Sequence, residues 1–207
     1  FQHIREALRS HDLNSYLGTL DMHPHQGKYH YDGHRKCNVS MNPAETADLG
    51  GICPECGRPL TLGVLYRVQE LASRPEGYAP ENRHGFRHII PLADILSDIF
   101  GVGPKTKRVA QAYQKAVESL GPELFILTDK SIADIDKAGV PLLGEAINRM
   151  REGNIHIEPG YDGEYGKVGI FSQAEKQSLK GEKTLFSDFS AGVAEPEAKY
   201  RKKKKAK

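Results

Sequence analysis

His34-Arg35-Lys36-Cys37 and, fifteen residues further on, Cys53-Pro54-Glu55-Cys56-Gly57 form a pair of metal-binding knuckles. Each knuckle places two metal-binding side chains three positions apart. Zinc prefers four nitrogen or sulfur ligands in a tetrahedron, and two knuckles at about this separation match a known zinc-site spacing. Because four protein ligands close the coordination sphere, the spacing predicts a structural Zn²⁺ site made by His34, Cys37, Cys53 and Cys56.

Other uses of these side chains stay open at this point. The thiols could pack as small apolar groups, or Cys53 and Cys56 could form a redox pair, which would leave Cys37 unexplained. His30 could replace His34 as the fourth zinc ligand. A second metal site could be built from the polar segment before the first knuckle, which supplies Asp21, His23, His25 and His30.

The composition excludes two broad classes of protein. Of 207 residues, 38% are apolar and 27% charged, without any run near the roughly 20 apolar residues that a membrane helix needs. Three cysteines are too few, and odd in number, for a disulfide scaffold. The chain starts at Phe1 without a signal-peptide pattern. We therefore expect a cytoplasmic protein with no membrane partner and no small-molecule substrate, and a fragment of something longer.

The charge is divided unevenly along the chain. The formal value is +2, yet residues 199–207 hold seven Lys or Arg, and the remaining residues carry 22 basic against 27 acidic groups. A terminal basic run attracts polyanions without reading bases and is typical of disordered ends. We predict a disordered basic tail over 172–207.

The apolar spacing predicts a mainly helical α+β fold in two units. A strand is expected at 16–20, and a β-hairpin from 155–157 and 168–171 around the Pro159–Gly163 turn. In the helix at 60–73, the residues expected on the buried side are Leu62, Leu65, Val68 or Gln69, Leu71 and Ala72. Residues 74–90 are rich in Pro, Gly, Asn and Arg and are predicted as a linker. The predicted helices are 1–13, 60–73, 92–100, 104–120, 131–137 and 142–152.

Phe100-Gly101-Val102-Gly103-Pro104-Lys105-Thr106-Lys107-Arg108-Val109 fits a helix-hairpin-helix pattern. Glycines permit the tight turn, amides at the next helix start point at a phosphate, and basic side chains add charge there. A weaker second copy spans 138–147, and two ordinary helix turns are the alternative. The predicted DNA-binding residues are Gly101, Gly103, Lys105, Lys107 and Arg108.

Glu182-Lys183-Thr184-Leu185-Phe186 stands out in the polar tail. Apolar residues in such a tail are costly in solubility unless a partner covers them. The pattern is similar to the peptide with which bacterial proteins bind the replication sliding clamp, so Leu185 and Phe186 are candidate clamp-binding residues. A chance Leu-Phe pair is the alternative.

Four stretches together resemble the C-terminal half of endonuclease Q, a family with a PHP-type nuclease domain. The resemblance covers about residues 1–171. It is carried by Gly27-Lys28-Tyr29-His30-Tyr31-Asp32-Gly33-His34-Arg35-Lys36-Cys37, the Cys53–Cys56 knuckle, Leu60-Thr61-Leu62-Gly63-Val64-Leu65 and Pro159-Gly160-Tyr161-Asp162-Gly163-Glu164-Tyr165-Gly166.

The resemblance implies a repair enzyme that cuts double-stranded DNA on the 5′ side of deaminated bases or abasic sites. The catalytic PHP residues would precede Phe1, so the catalytic residues of this chain are unknown. His23 and His25 stand where the family leads us to expect acids. The implied domains are the end of a truncated PHP-type domain (1–28), a zinc module with its following helix (29–73), the linker (74–90), a helical DNA-binding domain (91–171) and the tail (172–207).

Two other functions fit parts of this sequence. A non-enzymatic adaptor could couple DNA or the sliding clamp to a partner such as a helicase. A hydrolase could use a metal bound by the histidine-rich segment.

Overall fold

The computed structural model describes residues 1–10, 12, 14–81, 83–172 and 174–176. The chain divides into two units, residues 1–172 and 173–207. The described residues form the predicted mainly helical α+β fold with small sheets. The helices are α1 (Gln2–Arg9), α2 (Pro43–Asp48), α3 (Val64–Leu71), α4 (Leu92–Phe100), α5 (Lys107–Leu120), α6 (Glu123–Thr128), α7 (Ile132–Lys137) and α8 (Leu143–Glu152). The strands are β1 (Gly18–Met22), β2 (Asp32–His34), β3 (Val39–Met41), β4 (Gly85–Ile89), β5 (His156–Glu158) and β6 (Lys167–Gly169).

The hydrophobic core lies among helices α4 to α8. Each of these five helices contributes apolar side chains, so one face of each is covered by its neighbours. The longest described helix, α5, has 14 residues, and none of the described helices is suited to crossing a bilayer. The fully covered side chains are Leu92, Ile95, Leu96, Val109, Ala116, Ile126, Leu127, Ile135, Leu143, Ala146 and Ile147.

Helix α6 was not expected from the sequence, because Gly121-Pro122 was interpreted only as a stop. Pro122 is instead the N-cap residue of α6. The Glu123 carboxylate accepts hydrogen bonds from the Leu92 amide and the Tyr113 hydroxyl, both at 2.8 Å. These bonds join the start of α6 to α4 and α5, so a short helix is held there by tertiary contacts.

The β5–β6 hairpin continues into the helical core. Its strands pair antiparallel, as predicted, with Ile157 opposite Val168. The Asp98 carboxylate on α4 accepts hydrogen bonds from the amides of Ile170 and Phe171, at 3.0 and 3.1 Å. Both of those side chains are buried. The end of the hairpin is therefore anchored on α4.

The predicted linker contains a strand. β4 lies within residues 74–90 and pairs in parallel with β1, with Gly18 opposite Gly85 and Met22 opposite Ile89. A parallel partner must come from a distant part of the sequence, so local composition did not reveal it. The boundaries proposed for the domains stay a prediction.

Helix α3 differs from expectation in burial. Its apolar spacing is present, but it has no buried residue, and Leu62, Val68 and Leu71 are exposed. Helix α1 has no buried residue either. The prediction that this face of α3 is buried was wrong. An amphipathic pattern defines a face of a helix but does not supply its partner.

Candidate metal centre and nucleic-acid interface

The first knuckle is the turn of a β-hairpin. β2 and β3 pair antiparallel with His34 opposite Val39, and a short 3-10 turn, Arg35–Cys37, joins them. Asn38 closes the turn with a φ of 54°, a left-handed conformation that Asn adopts more readily than most residues. The turn holds His34 and Cys37 close together and leaves Arg35 exposed between them.

The second knuckle is a tight loop held by its own backbone. The Cys53 amide donates to the Arg58 carbonyl at 2.8 Å, and the Gly57 amide donates to the Cys53 carbonyl at 2.9 Å. Gly57 has a φ of 70°, a conformation in which glycine avoids the strain that a Cβ would cause. Cys53 is buried and Cys56 is exposed, so the loop presents its two thiols at different depths.

The two knuckles converge on one point. The ligand atoms of His34, Cys37, Cys53 and Cys56 all lie within 4.8 Å of one another, and His34 Nδ1 is 3.2 Å from Cys56 Sγ. Zinc–sulfur bonds of about 2.3 Å require tetrahedral edges of about 3.8 Å, so the spacing fits zinc with little movement. The group could hold a metal ion. It contains His34 rather than His30.

The cysteine thiols of the group differ in how readily they lose a proton. Burial acts to raise the pKa of Cys53, but hydrogen bonds from the Cys56 and Glu55 amides and from His34 outweigh it and lower that pKa to about 7. Hydrogen bonding with Cys56, together with burial, raises the pKa of Cys37 to about 11. A bound cation would replace the proton retained on Cys37 and favour the thiolate form of all three cysteines in the group.

The loop between β5 and β6 packs against the zinc module through its backbone. The Tyr31 amide donates to the Gly160 carbonyl at 2.9 Å, and the Gly160 amide donates to the His25 carbonyl at 2.8 Å. The Gly163 amide donates to the Lys28 carbonyl at 3.0 Å. Two stretches that carry the family resemblance, 27–37 and 159–166, are therefore neighbours in space.

Asp162 is a site residue that sequence reasoning did not single out. Its carboxylate accepts hydrogen bonds from the Arg35 amide and from the Thr61 hydroxyl, both at 2.7 Å. Burial alone would raise the pKa of Asp162, but these two hydrogen bonds, together with the charges of Arg35 and His34, outweigh burial and lower it. Asp162 thus joins the 159–166 loop to the first knuckle and to the 60–65 stretch. In the sequence, the one indication of this joining role is the position of Asp162 in an Asp-Gly turn.

We expect Gly160→Ala to weaken this packing. A Cβ at Gly160 would collide with three backbone atoms, Gly27 O, Gly166 N and Glu164 O, which cannot rotate away. The variant should lose roughly 2 kcal/mol of unfolding free energy, as overpacked sites do, measured by urea denaturation. Gly85→Ala is the matched control, because a Cβ there meets nothing within 4 Å. Equal stability of the two variants would contradict the close packing.

The histidine rings before the first knuckle lie close to other histidine rings, at tilted angles. The ring centroids of His25 and His30 are 4.4 Å apart and those of His23 and His88 are 4.6 Å apart, while Asp21 hydrogen-bonds with His88 at 2.5 Å. Burial, and then neighbouring histidines, lower the pKa of His23, His25 and His30, which favours the neutral form of each. Among the described residues, these side chains do not form a group that could share an ion.

The turn between α4 and α5 has the tight form that the motif predicts. Gly101 ends α4 with a φ of 64°, and its amide donates to the Ser97 carbonyl at 2.9 Å. Gly103 has open space where a Cβ would be. The Thr106 hydroxyl donates to the Gly103 carbonyl at 2.9 Å rather than capping α5, so the helix begins without a side-chain cap.

Three basic side chains surround the start of α5. Lys105, Lys107 and Arg108 are all exposed. The Arg108 guanidinium lies over the Phe100 ring, 4.4 Å from its centroid, which fixes its position. This is the arrangement that a phosphate-binding hairpin needs. The DNA-binding roles of these residues and the helix-hairpin-helix assignment stay predictions.

The weaker second copy has an acid where a phosphate would bind. A Cβ on Gly144, in the first turn of α8, would collide with the Asp136 carboxylate. A carboxylate at that position repels a phosphate, so the segment 138–147 is poorly suited to DNA binding. The candidate clamp-binding residues Leu185 and Phe186 lie outside the described residues, and their role stays a prediction.

Residues 91–154 match the family described as the MJ0043 C-terminal domain. The crystal structure of the lesion-specific endonuclease PfuEndoQ from Pyrococcus furiosus matches 89% of this chain and 45% of that protein, with a TM-score of 0.71 and 26% identity. This chain resembles the C-terminal half of endonuclease Q. The resemblance inferred from the motifs is therefore confirmed.

Other relatives show the same partial coverage. Endonuclease Q in complex with a 27-mer duplex substrate, with an abasic lesion at its active site, matches 84% of this chain and 43% of that protein (TM-score 0.65, 27% identity). The uncharacterized protein MJ0043 of Methanocaldococcus jannaschii is 32% identical over 84% of this chain and 21% of its own length. The uncharacterized protein YqxK of Bacillus subtilis is 28% identical over 81% of this chain and 39% of its own length. This chain spans less than half the length of each.

Proposed function

We propose that this chain is the zinc-stabilised, DNA-binding part of an endonuclease Q-type repair enzyme. The enzyme would cleave DNA on the 5′ side of deaminated bases or abasic sites. The observation that carries the proposal is the similarity to an endonuclease Q that was solved on a duplex with an abasic lesion. The proposal assigns no catalytic residue to this chain.

The zinc group would act as a structural element in this function. It would fix the exposed Arg35–Lys36 turn between two of its ligands, His34 and Cys37, and it would keep both knuckles closed. The ion would supply folding energy rather than chemistry, since four protein ligands leave no open coordination position.

The helical part would supply a grip on the phosphate backbone. Contacts from the α4–α5 turn would position the duplex without reading its sequence. Such contacts help to offset the few kcal/mol needed to extrude or unstack a nucleotide, a cost that is smaller where base pairing is already lost. The geometry is therefore suited to an enzyme that must recognise many sequences around one lesion.

Fluorescence anisotropy with labelled duplexes tests the proposal directly. We expect the full chain to bind duplexes at low salt, with affinity falling by roughly 10-fold or more between about 50 and 200 mM salt because several phosphates are neutralised. Duplexes with uracil or an abasic site should bind at least as tightly as undamaged DNA. Binding no stronger than that of an acidic control protein such as serum albumin would refute the proposal.

A further inference from the structure

We propose that Tyr29 and Tyr165 form a stacking surface for an unstacked base of damaged DNA, beside the basic Arg35–Lys36 turn. The inference rests on the proposed function and deepens it by naming where the chain contacts a base rather than a phosphate. The occupant is a nucleobase that has lost its pairing partner, such as the base opposite an abasic site.

The two tyrosines lie on loops that hold each other in place. Residues 26–28 accept backbone hydrogen bonds from residues 163–166, through Gly163 to Lys28 at 3.0 Å and Gly166 to Gln26 at 3.2 Å. Tyr29 directly follows Lys28 in the chain, and Tyr165 lies between Gly163 and Gly166. Tyr29 is 51% exposed and Tyr165 is 71% exposed, although these backbone hydrogen bonds hold both loops. A rigid backbone with exposed rings lowers the entropy cost of binding a flat partner.

Basic side chains accompany both rings. The Lys28 ammonium lies 4.6 Å from the centroid of the Tyr165 ring. The Arg35 guanidinium and the Tyr29 hydroxyl both lie beside Gly163, within 4 Å of the position that a Cβ would take there. Lys36 follows Arg35 in the same exposed turn, and Glu164 is the acid next to Tyr165. Rings interleaved with cations suit a polyanion that also carries flat bases.

This combination favours nucleic acid over other occupants. Aromatic side chains bind bases by stacking, which tolerates any sequence because every base has a π-face, while Lys and Arg bind the adjoining phosphates. A fully paired duplex offers no free base face, whereas an abasic lesion leaves the opposite base without a partner. The surface would therefore discriminate damaged from undamaged DNA without reading a sequence.

The test uses 2-aminopurine, a fluorescent base, placed opposite an abasic site in a short duplex. We expect the full chain, purified with zinc, to change 2-aminopurine fluorescence on binding as the base stacks on tyrosine. In the Tyr29→Leu/Tyr165→Leu variant, affinity for this duplex should fall by roughly 5- to 50-fold, the range expected from losing one or two base stacks. Affinity for undamaged duplex should change by less than about 2-fold, because phosphate contacts supply that binding.

Two controls make the result specific. Tyr29→Phe/Tyr165→Phe keeps both rings and should retain wild-type binding. Tyr78→Leu removes another exposed tyrosine, 55% exposed with the Arg74 guanidinium 4.8 Å from its ring centroid, and should leave binding unchanged. Zinc content and melting temperature are measured for each variant. If the Tyr29→Leu/Tyr165→Leu variant loses zinc, its lower affinity does not report on the rings alone. The change in 2-aminopurine fluorescence when the wild-type chain binds then tests the stacking surface.

The outcomes separate this inference from the proposed function. If the wild-type chain binds duplexes but the Leu variant binds the abasic duplex equally well, the stacking surface is overturned while the proposed function stands. An unchanged 2-aminopurine signal on binding, or equal losses in the Leu and Phe variants, also overturns it. Failure of the chain to bind any duplex overturns both.

Discussion

Replacing Cys53 with Ser is expected to remove bound zinc and lower the melting temperature of the chain by roughly 10 °C or more, since a structural zinc site contributes folding energy directly. Cys53 is the buried member of the group, and its carbonyl also accepts the Gly57 amide that closes the second knuckle. Serine keeps the size of the side chain but is a poor zinc ligand. Differential scanning calorimetry and elemental analysis measure the two effects.

The controls for this experiment come from the same chain. His34→Gln should behave like Cys53→Ser, because it removes another ligand of the group. His3→Gln changes an exposed histidine on α1 and should leave zinc content and melting temperature unchanged. A strong chelator should reproduce the loss in the unaltered chain. One zinc per chain in the wild type supports the site, whereas identical melting with and without chelator would refute it.

The ligand group could be predicted because its signal is local. Two pairs of side chains at metal-binding spacing indicate a metal site without reference to the surrounding fold. The structure brings His34, Cys37, Cys53 and Cys56 within reach of one ion. Helix α4 was likewise predicted with its observed bounds, Leu92–Phe100, because four buried apolar residues recur at helical spacing and a glycine ends the helix. Local patterns were sufficient in both cases.

Two of the features that sequence reasoning missed depend on distant partners. β4 pairs with β1 across more than sixty residues of chain, counting from Gly18 to Gly85. The role of Asp162 depends on Arg35 and Thr61, which come from two other stretches. No pattern within a single stretch specifies such pairs.

The apolar face of α3 shows the opposite error. Its spacing was interpreted as burial, yet the described residues leave Val68 and Leu71 exposed. Periodicity indicates which residues share a face of a helix, but it does not indicate whether another element covers that face.

The α4–α5 turn gives the second large prediction. We expect Lys105→Glu/Lys107→Glu to reduce duplex affinity by roughly 100-fold at low salt, because two attractive contacts become repulsive against the phosphate backbone. Both lysines are exposed at the start of a 14-residue helix without a side-chain cap, so the change acts on binding rather than on packing. Uracil-containing and undamaged duplexes should be affected alike, since phosphate contacts carry no base information.

A matched pair elsewhere on the surface separates a local contact from net charge. Lys137→Glu/Lys167→Glu changes the charge by the same amount, and both lysines lie in exposed ion pairs, with Asp134 and Glu158, that contribute little to stability. This control should weaken binding by only a few-fold through the overall field.

A salt titration adds a second criterion. The slope of log K against log salt is negative, and losing two phosphate contacts reduces its magnitude by about 2. If the two double variants lose equal affinity and keep the wild-type slope, the α4–α5 turn does not contact the backbone. A loss confined to Lys105 and Lys107, with the smaller slope, would place a phosphate at the start of α5.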